Sequence, residues 1–168
     1  MTSPQLSAVA PPSAGSGLPP QKNPRFLNFY LAIDKRLLRL TGVSVVTWRI
    51  SRLNHLKYTP SLILYTKGRK SGDVNGASLL YFRDGWDYVV LGSVGGGPKH
   101  PNWVYNVDAN PDGEIIVKRR TLKVRGRIAT GDEHDRLFAK ACTVYPYFKD
   151  YQSRAAPRVI PIVILSER

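Results

Sequence analysis

The segment SLILYTKGRKSGDVNGASLLYF, residues 61–82, decides the fold class, because two apolar runs flank a polar turn that contains glycine. The runs Ser61–Thr66 and Ser78–Phe82 each have the length of a short strand, and the turn between them covers residues 67–76. Short apolar runs separated by turn residues indicate a β-hairpin. The turn is either an anion-binding loop or a solvated hairpin tip, because it carries three cations, Lys67, Arg69 and Lys70.

The chain after this hairpin continues the β pattern. An Asp-Gly turn follows Phe82, and further strands are predicted at Asp87–Gly92, Glu114–Val117, Leu122–Ala129 and 158–165. The run Leu122–Ala129 alternates apolar with cationic residues, as a strand with one buried face does. A short helix is predicted after Pro101 and a longer one from Thr130 to about residue 143. About six mainly antiparallel strands with flanking helices predict an α+β fold built around a small β-barrel.

The chain divides into three segments. Residues 1–21 are rich in Pro, Ser, Ala and Gly, which predicts a disordered N-terminal tail. Residues 22–58 predict an amphipathic helical lead-in, because apolar residues from Phe26 to Leu40 recur at intervals of three and four. The barrel domain is predicted to occupy residues 59–168.

The charge of the chain favours an anionic partner. The 168 residues carry a formal net charge of +13, and no Asp or Glu lies between Lys35 and Gly72. The segment 22–40 therefore has two interpretations: its apolar face packs on the core, or it makes a peripheral contact with a membrane. No apolar run reaches the roughly 20 residues of a membrane-spanning helix, and the N-terminus does not resemble a signal peptide. A cytoplasmic protein is expected, with contact at the inner face of the cell membrane as the alternative.

The chemistry-bearing residues form a combination and no single motif. A Ser-His-Asp pattern, a Walker loop and paired carboxylates are absent from the sequence, so no catalytic acid or base is predicted with certainty. One cysteine and three scattered histidines predict no metal site. The cationic turn and the glycine loop GSVGGG, residues 92–97, remain, together with aromatic residues able to sandwich a planar ligand: Trp103, Tyr145, Tyr147, Phe148 and Tyr151.

Four stretches carry a resemblance to a known family. LILYTKGRKSG (62–72), LLYFRDGWDYVVLGSVGG (79–96), PNWVYNVDANP (101–111) and VYPYFKDYQSRAAPRVIPIVIL (144–165) resemble the deazaflavin-dependent nitroreductases and quinone reductases of actinobacteria, including mycobacteria. The similarity runs in unbroken order from about Thr59 to Leu165. It implies a split β-barrel of the FMN-binding superfamily that binds coenzyme F420, with FMN as the less favoured cofactor. The activity it implies is hydride transfer from the reduced deazaflavin to a quinone, a nitroaromatic or another electron-poor small molecule.

The resemblance also implies roles for particular residues. Substrate-side candidates are Leu80, Tyr145, Phe148 and Tyr151. Cofactor-binding candidates are Lys67, Arg69, Lys70, Ser71, Asn75, Ser78, Leu91, Ser93, Val94, Gly95, Gly96, Asn102, Trp103 and Asn106. Arg69 and Lys70 are expected to pair with the phosphate and tail carboxylates of F420.

The sequence departs from the family pattern at four of these positions. Val94 replaces a usual lysine, Asn75 a common arginine, and Leu80 and Phe148 frequent tyrosines. Two alternatives therefore remain open. One is the same fold with a fatty acid, haem or another flavin as ligand. The other, less favoured, is a nucleic-acid-binding barrel that uses the cations Lys118, Arg119, Arg120, Lys123, Arg125 and Arg127. The sequence does not determine the oligomeric state.

Overall fold

The computed structural model describes Leu38, Arg39, Arg49, Arg52 and residues 59–168. Six strands close into a barrel in the order β1-β2-β3-β6-β5-β4, and every neighbouring pair is antiparallel. The strands are β1 (Ser61–Lys67), β2 (Val74–Asp84), β3 (Asp87–Leu91), β4 (Asp112–Val117), β5 (Arg120–Ile128) and β6 (Ile162–Glu167). The predicted α+β fold with a split β-barrel is confirmed. The tail predicted for residues 1–21 and nearly all of the lead-in 22–58 lie outside the described residues.

Within residues 59–168, three α-helices flank the barrel: α1 (Asn102–Ala109), α2 (Gly131–Val144) and α3 (Phe148–Ala155). Helix α2 begins after Thr130, and Asp132 and Glu133 stabilise its first turn because carboxylates favour the positive end of the helix dipole. Helix α3 is not indicated by its sequence, in which tyrosines and Pro146 surround a run shorter than a typical amphipathic helix. Within the described residues, no helix is long and apolar enough to cross a bilayer.

Both faces of the barrel wall are buried where β3 and β6 lie. Inward side chains such as Val90 and Val163 pack with Val104 and Val107 of α1. Outward side chains pack beneath α2 and α3; they include Val89, Leu91, Ile162 and Ile164. Successive side chains of a strand point to opposite faces, so a strand covered on both sides needs an unbroken apolar run. The runs VVL in β3 and IVIL in β6 meet this need.

One described residue of the lead-in, Leu38, packs against the barrel. Leu38 is 2% exposed and contacts a small cluster with Ile63 of β1 and Ile116 of β4. At this residue the amphipathic pattern therefore contributes to the core. The neighbouring Arg39 is exposed.

The first hairpin is tighter than its sequence predicts. β1 and β2 remain paired as far as Lys67 and Val74, so the turn covers residues 68–73 and the expected 67–76 is too long. The N–H of Gly68 donates to the carbonyl of Asp73 at 2.7 Å, which closes the turn immediately beyond the last strand pair. β6 likewise begins later than expected, at Ile162 after Pro161.

The β4–β5 hairpin has a strained two-residue turn. Lys118 and Arg119 both have positive φ, 47° and 67°, and their strands pair up to Val117 and Arg120. Turns with two positive φ angles favour Asn-Gly, because a larger side chain at such a position crowds the backbone. The hairpin therefore keeps two cations at a cost in stability.

Replacing Lys118 by Asn together with Arg119 by Gly should stabilise the protein. Relief of the left-handed strain is worth about 1 kcal/mol, which raises the thermal midpoint by roughly 2–4 °C. Thermal unfolding followed by circular dichroism measures the change. The matched control is Lys123→Gly, at an exposed site of β5, which should lower the midpoint. A midpoint for the double variant at or below that of the parent would contradict the assignment of strain.

Candidate functional site

A cavity of about 310 Å³ lies beside the barrel where β3 ends, between the glycine loop and α3. Strand β2, the loop after β3, the start of α1 and the α2–α3 region all contribute to its wall. The residues that line it are Ser78, Leu79, Leu80, Leu91, Gly92, Ser93, Val94, Gly95, Pro101, Trp103, Tyr145, Phe148 and Tyr151.

The lining brings together many of the residues that the resemblance singles out. It includes all four substrate-side candidates, Leu80, Tyr145, Phe148 and Tyr151. Of the cofactor-binding candidates it includes Ser78, Leu91, Ser93, Val94, Gly95 and Trp103. The remaining cofactor-binding candidates lie elsewhere: five in or beside the cationic turn, one in the glycine loop and two on α1. These are Lys67, Arg69, Lys70, Ser71, Asn75, Gly96, Asn102 and Asn106.

An aromatic cluster forms one wall of the cavity. The rings of Tyr145 and Phe148 meet edge to face with centroids 5.2 Å apart, and Tyr151 lies 6.2 Å from Tyr145. The hydroxyls of Tyr145 and Tyr151 are 3.4 Å apart, so one donates to the other. Burial, followed by this hydrogen bond, raises the pKa of the Tyr145 phenol well above its usual range. Tyr145 is therefore a neutral hydrogen-bonding group at physiological pH.

The cationic turn, which is the turn 68–73 together with Lys67 at the end of β1, has its own internal bonds. The Oγ of Ser71 accepts a bond from the N–H of Asp73, and the side-chain amide of Asn75 donates to the Asp73 carbonyl, both at 3.2 Å. These contacts use Ser71 and Asn75 to shape the turn. Its three cations are exposed, and no carboxylate within residues 59–168 is ion-paired with them.

Asn106 ties this turn to helix α1. Its Oδ1 accepts a bond from the backbone N–H of Arg69, and its Nδ2 donates to the Oγ1 of Thr66, each at 3.2 Å. The Arg69 guanidinium lies 4.7 Å from the ring centre of Tyr105, on the same helix. Asn106 is 6% exposed and its amide is used inside the protein, so its part in the site is to position the turn. Trp103, one helical turn away, lines the cavity, whereas Asn102 is exposed.

Arg158 holds the glycine loop in place. Its guanidinium donates to the carbonyls of Gly92 (3.1 Å), Ser93 (3.0 Å) and Gly97 (3.0 and 2.7 Å), and to the Nδ1 of His100 (3.1 Å). The sequence pattern does not point to Arg158, because its partners lie 58 to 66 residues away. The one local signal is an arginine between two prolines just before an apolar strand.

The loop itself has a left-handed backbone. Val94, Gly95 and Gly96 have φ values of 49°, 61° and 86°. A Cβ on Gly96 would lie 2.9 Å from the carbonyl oxygen of Tyr151, so glycine permits the close contact with α3. A Cβ on Gly95 would meet nothing within 4 Å. Val94 is a strained β-branched residue whose side chain is 57% exposed beside the cavity.

The cationic face predicted on β5 is partly neutralised. Arg125 pairs with Asp112 at 3.1 Å, and Arg127 forms a two-bond pair with Glu133 of α2. Ion pairs of this kind reduce the charge available to a phosphate backbone. This face therefore gives the nucleic-acid interpretation little support.

Acid should destabilise the protein through His100. Burial, and then the charge of Arg158, lower the pKa of His100 below its ordinary 6.5. The unfolded chain therefore binds more protons, and stability is lost as the pH falls below about 6.5. Urea unfolding at pH 7.5 and 5.5 measures this loss. His100→Asn keeps an acceptor for Arg158 and should reduce the difference between the two pH values, whereas the control His134→Asn should preserve it. An undiminished difference in the His100 variant would exclude this origin.

Comparison with known proteins identifies the chain's relatives. The model of the F420H(2)-dependent quinone reductase family matches residues 44–167. An F420H(2)-dependent quinone reductase of Mycobacterium tuberculosis is 37% identical over 114 residues, which cover 65% of this chain and 74% of the relative. A second M. tuberculosis protein, a putative F420H(2)-dependent quinone reductase, is 36% identical over 67% of this chain and 93% of its own length.

A solved structure agrees with these sequence matches. The F420-H2 dependent reductase FDR-A superposes with a TM-score of 0.59 at 31% identity, covering 64% of this chain and 94% of its own. The expected resemblance to the deazaflavin-dependent reductases is thereby confirmed. By the extent of the family match, which takes in the whole barrel, the chain belongs to the F420H(2)-dependent quinone reductase family.

Proposed function

We propose that this protein is an F420-dependent oxidoreductase that reduces a quinone. The observation that carries the proposal is the cavity beside the glycine loop, which has apolar and aromatic walls and lies near the cationic turn, in a member of this family. When bound, reduced F420 would supply the hydride, so the chain's own residues need to bind, orient and exclude water.

The residues present fit a planar cofactor with an anionic tail. A Cβ on Gly95 would meet nothing within 4 Å, so the backbone there is open to a ligand, and Leu91 and Trp103 provide apolar walls against which a flat ring would pack. The exposed cations Lys67, Arg69 and Lys70 would hold phosphate and carboxylate groups as charge-assisted pairs. Helix α1 carries both Trp103, which lines the cavity, and Asn106, which binds the turn, so the cavity and the turn share one rigid support.

At two positions of this site the chain has an uncharged residue where the family pattern has a cation. Val94 places an apolar side chain at the cavity, and the amide of Asn75 bonds within the turn. A lost charged contact is worth roughly 1.5–3 kcal/mol when buried and less at an exposed site. We therefore expect a looser hold on the tail than a lysine and an arginine at these positions would give.

The aromatic wall of the cavity favours an electron acceptor that carries a hydrogen-bonding oxygen. The phenols of Tyr145 and Tyr151 lie together in the cavity wall, and the raised pKa of Tyr145 keeps its hydroxyl protonated. Such a hydroxyl donates to a quinone oxygen on which charge develops during reduction. Leu80 and Phe148 offer apolar contact and no hydroxyl, so we expect weaker activity on nitroaromatic compounds, which remain alternative substrates.

Binding of F420 should depend on the cationic turn. Titration of the purified protein, followed by the fluorescence of the coenzyme, should give saturable binding. Arg69→Ala with Lys70→Ala should weaken it by about a hundredfold, since two charge-assisted contacts are removed.

A matched pair of substitutions controls for net charge in this titration. Lys123→Ala with Lys149→Ala removes two exposed cations from β5 and α3 and should change the affinity by less than about threefold. Equal weakening in both double variants would reduce the role of the turn to general electrostatics. Saturable binding by no form of the protein would overturn F420 as the cofactor, and haem, a fatty acid or FMN would then be tested in the same cavity.

The lead-in segment 22–40 supports a second, positional proposal, contact with the inner membrane surface where quinones reside. Deletion of the segment would remove Leu38 from the core, so substitution of its cations is the cleaner test. Lys35→Gln, Arg36→Gln and Arg39→Gln together should lower binding to anionic vesicles, because each cation near the surface contributes about 1 kcal/mol. Vesicle sedimentation measures the bound fraction. Unchanged sedimentation, with an unchanged thermal midpoint, would exclude contact through this segment.

A further inference from the structure

A second cavity opens at the other end of the barrel. It lies where β2 and β4 end and β3 and β5 begin, and its volume is also about 310 Å³. The cationic turn lies at the start of β2, and this mouth lies at the end of the same strand. Roughly 30 Å of strand therefore separates the turn from the mouth. The lining of this barrel mouth consists of Tyr81, Arg83, Tyr88, Val117, Lys118, Arg120 and Leu122.

The mouth combines an aromatic floor with three cations. The rings of Tyr81 and Tyr88 are 5.5 Å apart, and Tyr81 is 5% exposed. The Arg83 guanidinium lies 4.0 Å from the ring centre of Tyr88, which fixes the charge above the floor. Lys118 and Arg120 reach the mouth from the facing hairpin.

The nearest acidic residues on the β2–β3 hairpin belong to the opposite face. Asp84 and Asp87 each adjoin a mouth residue in sequence, so strand alternation turns them outward. Asp84 is bound by Arg136 at 2.8 Å and Lys140 at 2.7 Å, both on α2. No carboxylate lines the mouth, and none within residues 59–168 is ion-paired with Arg83, Lys118 or Arg120. Its positive charge is therefore uncompensated by the described residues.

Two features of the hairpins that flank the mouth bear on its function. Lys118 and Arg119 maintain the strained turn described above, where Asn-Gly would fit without strain. Trp86, at the tip of the other hairpin, is 89% exposed and is therefore available to contact a ligand or a membrane surface at this end of the barrel. Barrel mouths are also a usual location for small-molecule sites.

We propose that the barrel mouth binds a phosphate group through Arg83, Lys118 and Arg120. Guanidinium groups match the oxygens of a phosphate in pairs, and the lysine adds a point charge. The phosphate has two possible carriers, a soluble phosphate ester or the headgroup of a phospholipid. In the second case Trp86 would enter the membrane interface, where tryptophan is favoured.

Tryptophan fluorescence tests the proposal. The signal of the Trp86→Phe variant is subtracted from that of the parent protein, so that only Trp86 contributes. The soluble probe is pyrophosphate. The lipid probe is vesicles of equal parts phosphatidylcholine and phosphatidylglycerol, compared with vesicles of phosphatidylcholine alone. Two double variants test the mouth. Arg83→Gln with Lys118→Asn removes two of its cations, and Lys118→Asn with Arg119→Gly removes one of them together with the exposed Arg119 beside it. The second should fold at least as well as the parent. The control, Lys123→Gln with Lys149→Gln, removes the same net charge elsewhere.

We expect a saturable Trp86 response to at least one probe, weakened about tenfold or more in both mouth variants and less than about threefold in the control. A response to vesicles alone assigns a phospholipid headgroup, and a response to pyrophosphate assigns a soluble phosphate ester. The pyrophosphate response should survive Arg69→Ala with Lys70→Ala, because the cationic turn lies at the opposite end. Loss of the response in that variant, equal weakening in the control, or no saturable response to either probe would overturn the proposal.

Discussion

The guanidinium of Arg158 is the point on which the geometry of the cavity depends. It links the segment before β6 to the loop after β3 through five hydrogen bonds, four of them to backbone carbonyls. A loop with three consecutive left-handed residues has little local preference for one conformation, so its shape must be imposed by contacts from outside. Burial lowers the pKa of Arg158, and its charge is solvated by carbonyl dipoles in place of water. Because β3 and β6 are paired strands of the same wall, the loop inherits the rigidity of the barrel.

The local sequence pattern was sufficient to predict the barrel, but it did not predict the contacts that complete the site. Alternation in β5 and the acidic first turn of α2 are properties of neighbouring residues, and both elements form as predicted. Helix α3 forms because Phe148 and Ala155 pack in the buried cluster against β3 and β6, which its tyrosine-rich sequence does not reveal. Arg158 and Asn106 act on partners 37 to 66 residues away, and one sequence contains no record of such pairs. The family resemblance named most of the cavity lining and also Asn106, but it did not name Arg158, which holds the glycine loop in place.

The charge of +13 is distributed in distinct groups. One exposed group lies in the turn between β1 and β2, and another surrounds the far end of the barrel. Between them, several cations of β5 and α2 are paired with Asp112, Glu133 and Asp84. The cations of the turn and of the barrel mouth thus lack carboxylate partners within residues 59–168, and each small group suits the binding of a localised anion.

The unequal lengths of β2 and β3 leave a main-chain edge beside the cavity. Residues 74–80 of β2 pair with β1, but in the described strands β3 pairs only with residues 81–84. Ser78, Leu79 and Leu80 thus bring an unshared row of peptide groups to the cavity wall. Peptide donors and acceptors do not change when a side chain is substituted. Hydrogen bonds that a ligand makes to this edge would therefore be preserved when the side chain of Leu80 is replaced, for example by tyrosine.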